Sequence, residues 1–559
     1  MAFNTATERA FSQGADAEAP IAKSMMEKIR PIGGPEMIRS LICALLAAAC
    51  AANSFAGAQP EGVPPVVDLR KLNMPDAPPD LVARLYQREC AVCHGEALQG
   101  APQGTALKGA GLLHGNSSDD IAKSIAEGFS DRGMPGFSPT LSETQIRSLA
   151  LYILEQRQGT NLEDFRYNAP LDIPTGVIES ERHNFNIETV IDELDPLPFS
   201  IEPLPDGRLL LTEKRRGLSI ISTDGKQSAL IRGAPKAYGD SFNFVGQPMG
   251  LGWMMEVALH PGYENNGWIY LHYGDRCSGC NHLSRQSGQD VSMNKLVRGR
   301  IRNGEWVDQE VLWQARREHY SVMPEIGAGG RIAFDNEGHV YFGVGIKGPL
   351  EHIGIQDLST PYGKIMRLHD DGRVPDDNPF VGRPDAESAI WTYGHRNPQG
   401  LEFNPATSEI WSSEMGPRGG DEFNLLEPGL NYGWPLVSLG VNYNGKPVAW
   451  GRALGIDFDP SDLKPPVVDF TPAPALSSFV FYQGDMFPEW NGDIIVGTLR
   501  ASDLLRIRLT KHQLAHQETL LEDMVRFRDI EVGPTGEIYL LLEHDSGGRI
   551  IKLISAFRQ

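Results

Sequence analysis

The run Cys-Ala-Val-Cys-His places thiols at Cys90 and Cys93 and an imidazole at His94. Two thiols at this spacing can each add across a vinyl group of one haem, while a histidine fixed beside them reaches the iron from one side only. Cys-x-x-Cys-His is the attachment signature of c-type haem. The iron then takes a second axial ligand, and Met134, 40 residues after His94 in Gly-Met-Pro-Gly-Phe, offers a thioether. Gly133 and Pro135 would hold that loop open to the haem face. Imidazole on one side and thioether on the other raise the reduction potential and suit electron transfer. A redox dithiol belongs in a βαβ setting, which is absent here, and zinc wants a second ligand pair, which does not occur before Cys277. His114 is the alternative iron ligand and reads as a surface histidine.

Helices must position this site. Asp80 to Glu89 reads as a helix delivering the motif, with Leu81, Leu85 and Tyr86 on its apolar face. After the Met134 loop, Ser142 and Gln145 form a capping box that opens an amphipathic helix carrying Ile146, Leu149, Leu151, Ile153 and Leu154. Helix, attachment motif, methionine loop and closing helix resemble a small class I cytochrome c over about Asp76 to Gln158, with a domain expected over 59–170.

From about Ile178 helical periodicity gives way to turn clusters that each enter an alternating β run. Six such units begin at Pro205, Pro261, Asp335, Asn404, Pro488 and Gly533, 45 to 84 residues apart. Repetition of this kind predicts an all-β six-bladed propeller of four-stranded blades over 175–559, preceded by the small all-α domain. Functional loops should gather on one face. Several loops carry chemistry. Arg396 and Asn397 lie in a Pro/Gly-rich loop. Gly416 and Pro417 expose main-chain carbonyls near Asp421 and Glu422, a donor set suited to calcium. Arg526 and Arg528 share a strand face and, with Arg500, could cage a planar polycarboxylate.

The segments YGKIMRLHDDGRVPDDNPF, YGHRNPQG, GPRGGDEFNLLEPGLNYGWP and RFRD resemble, in order, those of the glucose/sorbosone dehydrogenases, the soluble aldose sugar dehydrogenases that use pyrroloquinoline quinone (PQQ). The resemblance covers roughly Ile178 to Ala556. It implies PQQ over the propeller axis, calcium polarising the quinone, and oxidation of a sugar at C1. By position, Arg396 would touch the reactive quinone oxygen and Asn397 the cofactor. Arg500, Arg526 and Arg528 would grip its carboxylates, and Gly416 and Pro417 would offer carbonyls to calcium. Four positions depart from the family pattern. Gly327 stands where the catalytic histidine belongs and Ile346 where its orienting aspartate belongs. Leu251 replaces a glutamine near the cofactor, and Met415 replaces a residue that feeds calcium indirectly. A replacement base is then sought in Glu325, which reads as part of a flexible Gly-rich loop two residues before Gly327, or in His319.

A net charge of −21 argues against nucleic acid and anionic membrane as partners. A basic Met37-Ile38-Arg39, a short apolar run and Ala56-Gly57-Ala58 read as a secretory signal, so 1–58 is expected to be leader and the product periplasmic or secreted. Soluble export, rather than lipidation at Cys50, fits the Ala47 position. No later stretch is long and apolar enough to span a membrane. Cys277 and Cys280 read as a loop disulfide, permissible after export. These features predict a dehydrogenase that oxidises a sugar, alcohol or aldehyde and passes electrons through haem c to a downstream acceptor. The alternative is a degenerate propeller that binds carbohydrate or a protein partner.

Overall fold

The computed structural model describes residues 80–109, 111–159, 165–244, 247–347, 354–448 and 455–556; the leader expected over 1–58 lies outside them. Helix α1 (Leu81–Glu89) starts at Asp80, whose Oδ1 accepts from Val82 N at 2.8 Å and Ala83 N at 3.2 Å. It runs almost directly into α2 (Ala91–His94), which carries the attachment motif. Helices α3 (Ser118–Glu127) and α4 (Glu143–Gln158) both begin with complete capping boxes, Ser117 with Asp120 and the expected Ser142 with Gln145. All five apolar residues named for α4 are buried. The apolar face of α1 is shifted by one residue from expectation. Val82, Leu85 and Tyr86 are buried, whereas Leu81 is 39% exposed. Positions i, i+3 and i+4 make the tighter helical stripe, and Leu81 falls outside it.

The chain then builds six radial sheets. Five have four strands, and the first, Pro198–Pro203 with Leu209–Glu213 and Gly217–Ile221, has three rather than the expected four. A separate hairpin, Ser241–Phe244 with Gln247–Gly250, follows it. The sixth sheet is completed from the other end of the domain: Phe185–Leu194 pairs antiparallel with the last strand, Gly548–Ser555. That pairing closes the ring by tying the start of the domain into its last blade. The first strands of successive blades, beginning at Pro198, Met254, Gly329, Pro398, Leu476 and Arg526, contact one another in a circle around the axis. Each of the six turn clusters found in the sequence joins a first strand to its second.

This hairpin geometry fixes where function can lie. In an antiparallel pair the start of the first strand and the end of the second meet at the same rim. Arg396, Asn397, Glu325 and Arg526 precede or open first strands, and Ile346, Gly416, Arg500 and Glu543 end or follow second strands. One rim therefore collects them. Among the described residues no helix is long and apolar enough to cross a membrane. Cys277 and Cys280 are joined as a disulfide at the end of the strand Ile269–Cys277.

Candidate active site

In the helical domain Cys90 and Cys93 are free, half-buried thiols. His94 Nδ1 lies 2.7 Å from the Thr105 carbonyl. A carbonyl only accepts, so Nδ1 carries the proton and Nε2 keeps its lone pair for iron. Gly104 lets the chain pass the motif, because an added Cβ would stand 2.4 Å from the Cys93 carbonyl oxygen. Met134 is half-buried against the domain core, and its loop is closed by reciprocal main-chain bonds with Phe129 at 2.8 and 3.1 Å. These residues fit a covalent haem. His114 is exposed and stacks on Phe129.

On the propeller rim Glu414 anchors the loop that presents Arg396 and Asn397. Its carboxylate accepts from Arg396 N, from Asn397 N at 3.3 Å and from His395 Nδ1 at 2.9 Å. The Arg396 guanidinium donates to the Met415 and Gly416 carbonyls at 3.0 and 3.1 Å and to Tyr443 Oη at 3.3 Å. The Gly416 carbonyl expected to face calcium thus already faces a cation. Asp421 accepts from Gly416 N and Leu476 N, both at 2.9 Å. Burial pushes its carboxyl up to about 7 against those bonds and the charges of Arg500 and Arg396. Pro417 is buried beside them.

Two of the three arginines expected to form a cage, Arg526 and Arg528, converge on a residue the sequence reading missed. Glu543, fully buried, accepts from Lys214 Nζ at 2.5 Å, Arg526 Nη2 at 3.0 Å and Arg528 Nη2 at 2.9 Å. Burial alone would raise its carboxyl, but Arg528, Lys214 and Arg526 outweigh burial and hold it well below the usual range. Two arginines against one carboxylate leave one positive charge in surplus, and Lys214 adds a second when it is protonated. Arg528 Nε and Arg500 Nε are buried with no hydrogen-bond partner among the described residues. Surplus charge and orphaned donors suit a carboxylate-bearing ligand. Lys214 and Glu543 were legible in principle, since each sits at or just past the end of a second strand.

The positions of the absent base lie together. A Cβ placed on Gly327 would be 2.7 Å from Ile346 Cγ1, so the isoleucine occupies the space a side chain there would need. Both belong to the rim: Ile346 N donates to the Arg396 carbonyl at 2.9 Å, and Gly329 N to Asn397 Oδ1 at 3.3 Å. Glu325, expected in a flexible loop, is buried in the short turn Glu325–Gly327. Its Oε1 accepts from Ser292 Oγ at 2.7 Å and Gly252 N at 2.9 Å, with Lys347 Nζ at 3.3 Å. Its Oε2 is buried with no hydrogen-bond partner among the described residues. His319 contacts Arg316 and packs edge-on to Tyr362, and burial lowers its pKa. Leu251 is half-buried next to Gly252.

The two domains meet at this rim. Arg418, 1% exposed, binds Glu155 of α4 at 2.9 and 2.6 Å and Asp80, the cap of α1, at 2.9 and 3.1 Å. Gly445 has φ +82°, and a Cβ there would lie 2.2 Å from Val82 Cγ2. Only glycine both adopts that backbone and admits the helix so closely.

Residues 196–552 match the glucose/sorbosone dehydrogenase family, and residues 77–153 match cytochrome c oxidase, cbb3-type, subunit III. The chain belongs to the glucose/sorbosone dehydrogenase family, with a cytochrome c domain before the propeller. Among its relatives, the aldose sugar dehydrogenase of Escherichia coli K12 is 32% identical over 370 residues, 65% of this chain and 91% of that protein. Quinoprotein glucose dehydrogenase B of Acinetobacter calcoaceticus is 26% identical over 457 residues, 68% of this chain and 89% of that protein. The crystal structure of the Escherichia coli enzyme in its apo form superposes with a TM-score of 0.57 at 28% identity, covering 66% of this chain and 99% of its own.

Proposed function

We propose that the protein is a periplasmic quinohaemoprotein dehydrogenase, oxidising a sugar, alcohol or aldehyde with PQQ and delivering the electrons to haem c. The observation that carries this reading is the buried Arg418, which ties the haem domain to the loop bordering Arg396. A one-electron relay docked on the rim has a use only if electrons arise there. PQQ, when bound, supplies a two-electron acceptor for the substrate's hydride. Arg528, Arg500 and Lys214 would hold its carboxylates, and Arg396 and Asn397 its quinone edge. Glu325 is the proposed base. Ser292, Gly252 and Lys347 fix one carboxylate oxygen and leave Oε2 to take the substrate hydroxyl proton. His94 and Met134 would ligate the iron. Calcium is proposed on the Gly416 and Pro417 carbonyls, where it would compete with Arg396 for the Gly416 oxygen.

The test adds PQQ and calcium to purified haem-loaded protein and follows haem reduction across aldoses, alcohols and aldehydes. Reduction that needs PQQ, and that stops on calcium chelation, supports the reading. Bound PQQ with no haem reduction on any substrate would favour the alternative, a binding propeller, which the mutual packing of Gly327 and Ile346 also accommodates.

A further inference from the structure

The segment 165–169 lies between the two family matches, after residue 153 and before residue 196. It is pinned across the rim at four points. The Phe165 carbonyl accepts from Arg526 Nη1 at 2.6 Å, and Arg166 pairs with Asp523. The Tyr167 carbonyl accepts from Asp545 N at 2.7 Å, and the Ala169 carbonyl from His544 Nε2 at 2.8 Å. Five residues with four anchors form a built part of the rim, unlike a connector that merely crosses it. Tyr167 lies with its ring 3.9 Å from the Arg526 guanidinium carbon, and burial raises its phenol despite the charge of Arg526. The same guanidinium binds Glu543 at 3.1 and 3.0 Å, so the ring borders the charged cluster through Arg526.

Arg526 is correspondingly spent. Nε and Nη2 bind Glu543 at 3.1 and 3.0 Å, and Nη1 binds the Phe165 and Leu499 carbonyls. Its position in the cage therefore serves the strap, and the donors that remain for an anion are Arg528 Nε, Arg500 Nε and the N–H groups of Lys214 not turned to Glu543.

We propose that this strap is part of the cofactor site: Arg526 holds it, and Tyr167 supplies an aromatic wall for a planar, carboxylate-bearing aromatic ligand bound by the remaining cations. The proposal rests on the PQQ reading above and adds a wall contributed from outside the propeller family's own sequence. An aromatic ring beside a flat conjugated ligand adds stacking that a phenylalanine would retain.

Equilibrium dialysis of the full-length haem-loaded protein against PQQ, with calcium held constant, separates the possibilities. Tyr167→Ala is expected to weaken binding about 3- to 10-fold, and Tyr167→Phe to stay within about twofold. Arg528→Ala should weaken it more than about 20-fold, because a buried carboxylate loses its partner. The haem spectrum and melting temperature of each variant report that the fold is intact. If Tyr167→Ala binds as well as the unaltered protein, or more tightly, while Arg528→Ala is impaired, the wall is overturned and the PQQ site stands. If the unaltered protein binds no PQQ, both fall.

Discussion

Gly327 and Ile346 make a paired prediction. A Cβ on Gly327 would stand 2.7 Å from Ile346 Cγ1 and 3.1 Å from Cδ1, and Ile346 is itself buried. Gly327→His alone must displace that side chain, an overpacking cost of ~1–3 kcal/mol. Ile346→Asp alone buries a carboxyl without a partner, at a similar ~1–3 kcal/mol. Together the substitutions remove the clash and give the carboxyl an imidazole N–H to accept from. The double variant should therefore be more stable than the sum of the singles by ~1–2 kcal/mol. Urea unfolding of the four proteins measures this coupling. Function gives an independent readout, since a positioned base contributes ~10²–10⁴-fold to proton removal. With PQQ and calcium bound, the unaltered protein should oxidise glucose poorly, and the double variant should gain activity within that range. Brisk glucose oxidation by the unaltered protein would show at once that Gly327 and Ile346 leave no base missing. Additive stabilities with no gain of activity would show that the two positions are not the family's base and orienter.

Arg418→Met leaves Glu155, with a side chain 5% exposed, and Asp80, 30% exposed, without their cation. Stranding buried charge costs ~3–5 kcal/mol, towards the lower end here because Asp80 is partly solvated; the expected outcome is undocking, read as protease sensitivity between the domains and slower haem reduction. Arg418 holds the Asp80 carboxyl below its ordinary value against burial, so its contribution is full above about pH 4 and fades only as pH falls further through the folded value; scattering curves across that range check it. Glu325→Gln keeps an oxygen for Ser292 and Gly252 but removes the basic one. Turnover should fall ~10²–10⁴-fold with PQQ affinity unchanged, and full turnover on the true substrate would remove Glu325 from the mechanism. Burial and the Arg528 charge push Lys214 down to about 7 even though Glu543 opposes them. Its protonated form attracts an anion, so PQQ affinity should decline as pH rises through about 7, and Lys214→Met should flatten that profile in dialysis.

Elements with a local signature were readable from the chain alone, and those defined by meeting across the rim were not. The attachment motif, the Ser142 capping box and the six turn clusters each depend on residues a few positions apart, so their physics is written in spacing. Arg526 and Arg528 stood out because they share one strand two residues apart. Glu543 was missed because nothing beside it in sequence marks it; it matters only where the second strand of the last blade brings it against Lys214 of the first. Glu325 looked like a loop glutamate for the same reason, since Ser292, Gly252 and Lys347 arrive from three other segments. Arg418 sits inside a motif read for calcium, yet its partners lie 263 and 338 residues away. A propeller that kept only its fold would have little reason to bury Lys214, Arg526 and Arg528 around a single carboxylate with positive charge to spare. It would have less reason to leave Arg528 Nε and Arg500 Nε on the same rim without acceptors among the described residues. Buried donors without acceptors cost stability unless something else supplies the acceptor. A carboxylate-bearing cofactor would do so, and the haem domain latched beside it would give the electrons a way out.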